Sequence, residues 1–135
     1  MPYTIFIFVA RKATLTSSQF KDYYENKHIP LLKELVGPLF PLHHRRQYFA
    51  RTDRKGFGGP ANRDHPNFLL RGTPEGFDFD VVAELTWEDE KTFHGFYKAI
   101  YQSDVAAKLA LDEERFLDSG SLRSVVVGET TDTSR

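Results

Sequence analysis

The sequence contains no cysteine, so disulfides, a thiol nucleophile and thiolate-based metal sites are excluded. It also lacks an apolar run long enough to span a bilayer, and no positively charged stretch precedes its short apolar N-terminal segment. Neither sign of charge is in excess: the formal net charge is −1, which argues against binding to nucleic acid or to an anionic membrane. We therefore predict a soluble, cytoplasmic protein that contacts neither.

Motifs for bound cofactors are missing as well. No two histidines stand four residues apart on a predicted helix, and no Gly-rich stretch fits a dinucleotide or phosphate loop. No serine lies in a nucleophile-elbow pattern. We therefore predict acid–base chemistry that requires no metal and no cofactor.

Aromatic residues, in contrast, are abundant. The 135 residues include 12 Phe and 6 Tyr, which is more than a small core needs and indicates a pocket or an interface. The hydrophobic fraction of 40% is sufficient for one folded domain, which we place at residues 1–128. The polar residues 129–135 are predicted to form a flexible tail.

The predicted elements follow the order strand, helix, strand, strand, helix, strand, with the second helical section divided in two. Thr16 and Gln19 have capping-box spacing and mark the start of the first helix. This order predicts an α+β, ferredoxin-like fold, in which an antiparallel sheet carries both helical sections on one face. The predicted strands cover residues 3–10, 44–51, 80–87 and 122–128.

The first predicted strand is apolar on both sides, although a ferredoxin-like domain covers only one. Burying a large apolar side chain is worth about 1.5–3 kcal/mol, so an uncovered row would drive association. We predict that a second copy covers it, giving a homodimeric α/β barrel with an apolar chamber between the sheets. The alternative is that residues 52–80 fold over the sheet. The two rows of the strand are Tyr3, Ile5, Ile7 and Val9, and Phe6 and Phe8.

His28 is the first candidate catalytic residue. It follows Tyr24 on one helical face and precedes Pro30, which is expected to force Ile29 out of the helical region and to end the helix. A helix end favours an imidazolium whereas an aromatic wall disfavours it, and this balance suits a group that exchanges protons near neutral pH. A capping or core histidine bonded to a carbonyl is an equal alternative.

His44 and Asp112 are the other catalytic candidates. Adjacent residues of a strand face opposite sides, so only one of His43 and His44 can line a pocket; we select His44 and interpret His43 as a solvated edge residue. Asp112 lies in the apolar stripe of a helix and needs a partner. That partner is either a histidine that it orients or, as the favoured alternative, an arginine such as Arg123.

Further side chains are candidates for binding a substrate. Glu84 faces either the chamber or, as we favour, solvent. The Gly- and Pro-rich segment 52–80 is either a functional flap or mobile, and His65 within it is expected to be an exposed loop residue. The flat apolar walls of the site are assigned to Tyr24, Tyr48, Phe6, Phe8 and Trp87.

Four stretches of the sequence together resemble the EthD-domain family, most closely its small fungal members in aromatic polyketide pathways. The most recognisable feature is a His-x-Pro-Leu element formed by His28, Pro30 and Leu31. The resemblance covers nearly the whole chain, except the tail and part of the segment 52–80. The stretches are TSSQFKDYYENKHIPLLKELVGP, FPLHHRRQYFAR, FDFDVVAELTWED and DEERFLDSGSLRSVVVGE.

The resemblance implies a dimeric α+β barrel that decarboxylates, dehydrates or cyclises polyphenolic polyketides. The members that this chain most resembles act as decarboxylases on anthraquinone precursors such as atrochrysone carboxylic acid. By position, His28 matches the family's motif histidine, and His44 matches a histidine that precedes an Arg/Tyr strand.

We therefore predict a cofactor-free decarboxylase of an aromatic polyketide acid, in which His28 donates a proton and His44 polarises a carbonyl. Dehydration, aldol cyclisation or cofactor-free oxygenation of an anthrone are alternatives on the same fold. The alternative outside enzymes is a dimer that binds an aromatic metabolite without changing it.

Overall fold

The structure, a computed structural model, describes residues 1–51 and 66–135. The first part of the predicted flap, including His65, lies outside the described residues. Within the described ranges, no helix has the length and apolar character needed to cross a membrane. The main elements are β1 Tyr3–Val9, α1 Ser17–Tyr23, a π-helical turn Tyr24–His28, α2 Ile29–Val36, β2 His43–Tyr48, β3 Val81–Trp87, α3 Glu90–Ile100, α4 Ser103–Glu113 and β4 Arg123–Val126.

The four strands form one antiparallel sheet in the order β2-β3-β1-β4, so the first and third strands are central. Ile5 of β1 lies opposite Leu85 of β3 on one side and opposite Val126 of β4 on the other. Side chains of α2, α3 and α4 pack against the same face of this sheet. The arrangement confirms the predicted α+β, ferredoxin-like fold.

The main core lies between the sheet and these helices. Trp87 at the end of β3 is completely buried there, with its ring centroid 5.1 Å from that of Phe93 and 4.8 Å from that of Phe96. Its Nε1–H donates to the carbonyl of Leu39 at 2.9 Å, which satisfies the one polar atom of the side chain. Trp87 is therefore a core residue rather than a wall of the site.

The first helix begins where the sequence predicts it. The hydroxyl of Thr16 accepts a hydrogen bond from the backbone N–H of Gln19 at 3.1 Å, and the Gln19 side chain accepts one from the backbone N–H of Thr16 at 2.9 Å. These reciprocal bonds satisfy two backbone donors that a helix start leaves unpaired, and they confirm the capping box.

Pro30 does not break the helix, and the prediction of a break is wrong. Ile29 keeps helical backbone angles (φ −63°, ψ −45°), and the chain continues from α1 to α2 through the π-helical turn. In this wider turn the N–H of Ile29 donates to the carbonyl of Tyr24, five residues back. The shifted hydrogen bonding accommodates a residue that has no N–H of its own. His28 is thus positioned by a π turn inside a continuous helical segment.

The opposite face of the sheet, here called the open face, carries Phe6, Phe8 and Glu84. These residues alternate along β1 and β3 with the row that packs on the helices. Val125 of β4 lies opposite Phe6 and is 53% exposed. The open face therefore has an apolar part that the described chain leaves uncovered.

The segment before β3 covers one end of the open face. The ring centroid of Phe8 is 6.2 Å from that of Phe77 and 5.5 Å from that of Phe79. Of the segment 52–80, which the alternative placed over the sheet, Phe77 and Phe79 do cover this end.

Candidate active site

A cavity of about 390 Å³ lies within the chain, on the helix side of the sheet. Its volume is in the range of about 300–1,000 Å³ that is typical of small-molecule sites. The location differs from the prediction, which placed the chamber between the sheets of two chains. Most of the lining of the observed cavity is apolar, and none of the described residues that line this cavity is Lys or Arg. The polar lining residues are Tyr24, His28, His44, Tyr97, Tyr101, Glu113 and Ser124.

His28 is paired with Asp112 at the wall of this cavity. Nδ1 of His28 lies 2.9 Å from Oδ2 of Asp112, and both residues are buried. The hydroxyl of Tyr23 donates to the other carboxylate oxygen at 2.5 Å. Asp112 therefore orients a histidine, and the favoured prediction of a pair with Arg123 is wrong, because the Arg123 guanidinium contacts backbone carbonyls beside its own strand.

The His28–Asp112 pair defines which nitrogen of His28 is available for chemistry. A carboxylate accepts a hydrogen bond from Nδ1–H, and neutral imidazole then carries a free lone pair on Nε2. Burial lowers the pKa of His28, and Asp112 partly offsets this effect. His28 is accordingly a neutral base near pH 7, whose protonated form has a carboxylate beside it.

His44 faces the same cavity from strand β2. Both of its ring nitrogens are buried and have no hydrogen-bond partner in the described part of the chain. Burial lowers its pKa to about 4, with further contributions from the positive charge of Arg46 and from His28. The ring is therefore neutral at physiological pH and offers one N–H donor and one acceptor to a bound molecule.

Aromatic rings separate and surround the two imidazoles. The ring centroid of Tyr24 is 5.8 Å from that of His28 and 6.3 Å from that of His44. Phe116 lies on the other side of His28, with a centroid distance of 4.8 Å. These apolar neighbours exclude water and so favour the neutral forms of both histidines.

A second polar cluster lies beside His44 and was missed by the sequence analysis. It consists of Glu25, Arg46 and Tyr48, and is called the Glu25 cluster below. Nε and Nη2 of Arg46 donate to the two oxygens of Glu25 at 2.7 and 3.0 Å, and the Tyr48 hydroxyl donates to Glu25 at 2.6 Å. The Tyr48 hydroxyl thus binds the carboxylate of Glu25, and Tyr48 is not among the described residues that line the cavity.

The structure brings together four of the predicted site residues and separates the others. Tyr24, His28 and His44 line the cavity, and Asp112 joins them through its hydrogen bond to His28. Three others lie on the open face, on the far side of the sheet from His28, so they do not line this cavity. They are Phe6, Phe8 and Glu84.

Three residues that line the cavity were not among the predicted site residues. Glu113 of α4 lines it, and burial together with the neighbouring Asp112 raises the pKa of its carboxyl. Tyr97 and Tyr101 of α3 line it and are 48% and 65% exposed, which places them at its rim. Their spacing of four residues on a helix was visible in the sequence, but a partly exposed core stripe has the same spacing.

The described residues contain no group of three or more His, Asp or Glu side chains arranged to hold a metal ion. What the cavity offers is two neutral imidazoles, a carboxyl group and aromatic surface. Such a set can transfer protons and hydrogen-bond a carbonyl.

Comparison with known proteins places this geometry in a family context. The profile of the EthD domain matches residues 12–120. An ethyl tert-butyl ether D (EthD) family protein from Bacillus halodurans has 15% sequence identity and a TM-score of 0.55, over 96% of this chain and 100% of that one. No curated protein matches the sequence.

Two other solved structures are similar. An EthD-like protein from Ralstonia eutropha has 13% identity and a TM-score of 0.51, over 93% of this chain and 87% of that one. A dimeric ferredoxin-like protein of unknown function from Thermobifida fusca has 14% identity and a TM-score of 0.50, over 96% of this chain and 92% of that one. Identities this low establish a common fold and nothing about the reaction.

Proposed function

Because the chain belongs to the EthD domain family, we propose that it is a cofactor-independent decarboxylase of an aromatic polyketide carboxylic acid. The resemblance of its sequence to small fungal members of polyketide pathways supports a substrate like atrochrysone carboxylic acid. The observation that carries the proposal is the convergence of two neutral imidazoles on one apolar cavity. One of them is held by Asp112, and the other has no hydrogen-bond partner among residues 1–51 and 66–135.

The reaction begins with a proton transfer to His28. A β-keto acid enters the cavity in its neutral form, and Nε2 of His28 accepts the carboxyl proton. The resulting imidazolium is stabilised by Asp112, which accepts the hydrogen bond from Nδ1.

Cleavage of the carbon–carbon bond follows. The bond between the carboxylate and the adjacent carbon breaks, CO2 leaves, and the electron pair moves onto the ketone oxygen as an enolate. The N–H of His44 donates a hydrogen bond to this oxygen. Nε2–H of His28 then protonates the carbon, so the proton taken from the acid ends in the product and the histidine returns to its neutral form.

The apolar lining favours this step. The carboxylate charge is concentrated on two oxygens before the bond breaks, whereas in the transition state it spreads into the aromatic system. The described lining contains no Lys or Arg that would hold the carboxylate, and such a lining stabilises the dispersed charge relative to the concentrated one. The aromatic rim of Tyr97 and Tyr101 suits a flat substrate.

The product mass tests the reaction. Incubation of the protein with atrochrysone carboxylic acid is expected to yield a product that has lost CO2, detected by mass spectrometry. His28→Ala is expected to nearly abolish this conversion. His94→Ala is its matched control, because His94 is an exposed histidine paired with Glu90 on the surface. Loss of water instead of CO2, or consumption of O2, would replace decarboxylation by one of the reactions below, and binding without conversion would contradict an enzyme.

A second candidate is a reaction that starts from deprotonation of a phenol or of an acidic C–H. The His28–Asp112 pair favours it, because this pair makes Nε2 a base. Such a base supports dehydration or aldol cyclisation of the same substrates, and also cofactor-free oxygenation of an anthrone.

We also propose that the protein is a homodimer joined through the open face. Phe6 and Val125 form an apolar surface there, and the similar Thermobifida fusca protein is described as dimeric. Val125→Asp is expected to give a monomer of 15.6 kDa in sedimentation equilibrium, because it places an unpaired charge in the interface. Leu111→Asp is the control, since Leu111 is an exposed residue of α4, on the other side of the sheet from the open face. A wild-type monomer would contradict the dimer but not the chemistry, because the cavity lies within one chain.

A further inference from the structure

The Glu25 cluster lies outside the cavity, and no step of the proposed reaction uses it. Its geometry is nevertheless specific, because the guanidinium of Arg46 binds both oxygens of Glu25 in a planar, bidentate ion pair. The side chains of the two residues are only 20% and 30% exposed. Their charges are therefore less screened than those of a surface ion pair.

Arg46 makes one more contact, which connects the cluster to His44. Its Nη1 donates to the backbone carbonyl of His44 at 2.6 Å. His44 and Arg46 are two residues apart on β2, an edge strand of the sheet, so their side chains share the helix-facing side. The guanidinium thus fixes the backbone of the residue whose ring lines the cavity.

The other end of the cluster connects to His28. Glu25 and His28 both lie in the π-helical turn, and Tyr24 of the same turn contacts both imidazole rings. This turn has no side-chain cap of its own. Glu25 therefore links the turn that carries one imidazole to the strand that carries the other.

We infer that the Glu25 cluster is a positioning device that sets the placement of His28 relative to His44. Glu25 and Arg46 are positioning residues, because they act through the backbone of β2 and the π turn. The test of this inference by kcat rests on the proposed function, whereas the test by NMR of the imidazole rings does not.

The cluster also supplies charge. Among the described residues, the ionisable groups that shift the pKa of His44 are Arg46 from its own strand and Glu25 and His28 from the π-helical turn. The positive charge of Arg46 disfavours the protonated form of His44, and the carboxylate of Glu25 opposes this effect. Geometry and charge can therefore be separated by substitution at one position.

Arg46→Lys and Arg46→Gln make this separation. Arg46→Lys keeps the charge and loses the bidentate geometry, so we expect kcat to fall about 10–100-fold with little change in KM. The pKa of His44 stays low in this variant. Arg46→Gln loses both, so kcat falls in the same way and the pKa of His44 rises above about 4. Arg71→Gln, a change at an exposed loop residue, is the control and is expected to alter neither quantity.

Glu25→Gln tests the other half of the cluster. It is expected to lower kcat as Arg46→Lys does, because it breaks the same ion pair. It should not raise the pKa of His44, because the carboxylate that it removes favours the protonated ring. The double variant Glu25→Gln/Arg46→Lys should lose no more than the larger single effect, since both substitutions break one contact.

Imidazole NMR gives the readout that does not depend on turnover. In Arg46→Lys, the ring signals of both His28 and His44 should shift, whereas that of His94 should not. A shift confined to His44 would overturn the inference, and so would a wild-type kcat in Arg46→Lys. If the wild-type protein converts no polyketide acid, the proposed reaction fails, and the NMR comparison alone still decides the positioning role.

Discussion

His28→Ala is expected to lower the rate of CO2 release about 10²–10⁴-fold while the fold is retained. The substitution removes the one group that both accepts the carboxyl proton and returns it to carbon. His44 cannot replace it, because no described carboxylate is hydrogen-bonded to its ring to stabilise an imidazolium, and burial lowers its pKa to about 4.

After the substitution, the buried Asp112 carboxylate keeps Tyr23 as its side-chain hydrogen-bond partner within the described part of the chain. Loss of a hydrogen-bond partner by a buried group costs about 1–3 kcal/mol, so thermal unfolding must be measured beside the rate. His28→Gln is the second variant. Its side-chain amide can still donate to Asp112, but it cannot cycle a proton. A folded His28→Gln protein with the wild-type rate would reject the role of His28.

The pH dependence gives an independent check on the same residue. His28 must be neutral to accept a proton, and burial lowers its pKa below the ordinary value of about 6.5. The rate should therefore persist as the pH falls through 6.5, where a free histidine of pKa ~6.5 is half protonated. It declines only at lower pH, where His28 itself becomes protonated. An acid limb centred above the ordinary value would contradict a buried, neutral base.

The fold was accessible from the sequence because its signals are local. The short apolar run of the first strand, the capping box at Thr16 and the order of elements are all set by residues close together in the chain. The choice of face was not accessible. Both rows of the first strand are apolar, and only the tertiary packing places Ile5 against the helices and Phe6 on the open face.

Pro30 shows how a candidate residue can be selected for a reason that does not hold. The predicted break at Pro30 makes His28 a candidate, but the helix continues through the π-helical turn, and tertiary context overcomes the restriction on Ile29. The histidine therefore owes its place to Asp112, to which it is hydrogen-bonded, and to the aromatic rings around it rather than to a helix end.

The partners of the candidate residues were the least predictable part of the site. His28 and Asp112 are 84 residues apart, and no spacing rule pairs a helical carboxylate with a histidine at that distance. Glu25 and Arg46 are 21 residues apart and each has the appearance of a surface charge in the sequence. Contacts of this kind follow from how elements pack, which a periodicity argument does not describe.

Asp112→Asn is expected to lower the rate about 10²–10⁴-fold with little change in KM. The amide has nearly the same shape as the carboxylate but no charge, so it no longer stabilises the imidazolium that forms on His28. Its NH2 group can also donate to Nδ1, which would place the imidazole proton on Nε2 and leave that atom unable to accept one.

Asp112→Asn should also shift the acid limb of the pH–rate profile in one direction, which a merely structural effect would not do. Asp112 raises the pKa of His28 against the effect of burial, so its neutralisation lowers that pKa further. The acid limb of the remaining activity should therefore move to lower pH.

Two controls isolate the His28–Asp112 pair. Tyr23→Phe removes the other hydrogen bond to Asp112 and should leave most of the activity, while Glu114→Gln removes an exposed carboxylate of the same region and should leave all of it. If Asp112→Asn kept the wild-type rate, or moved the acid limb to higher pH, the carboxylate would not be acting on His28. A defect in Asp112→Asn but not in Tyr23→Phe assigns the effect to the contact with the imidazole, because both substitutions disturb the same buried carboxylate.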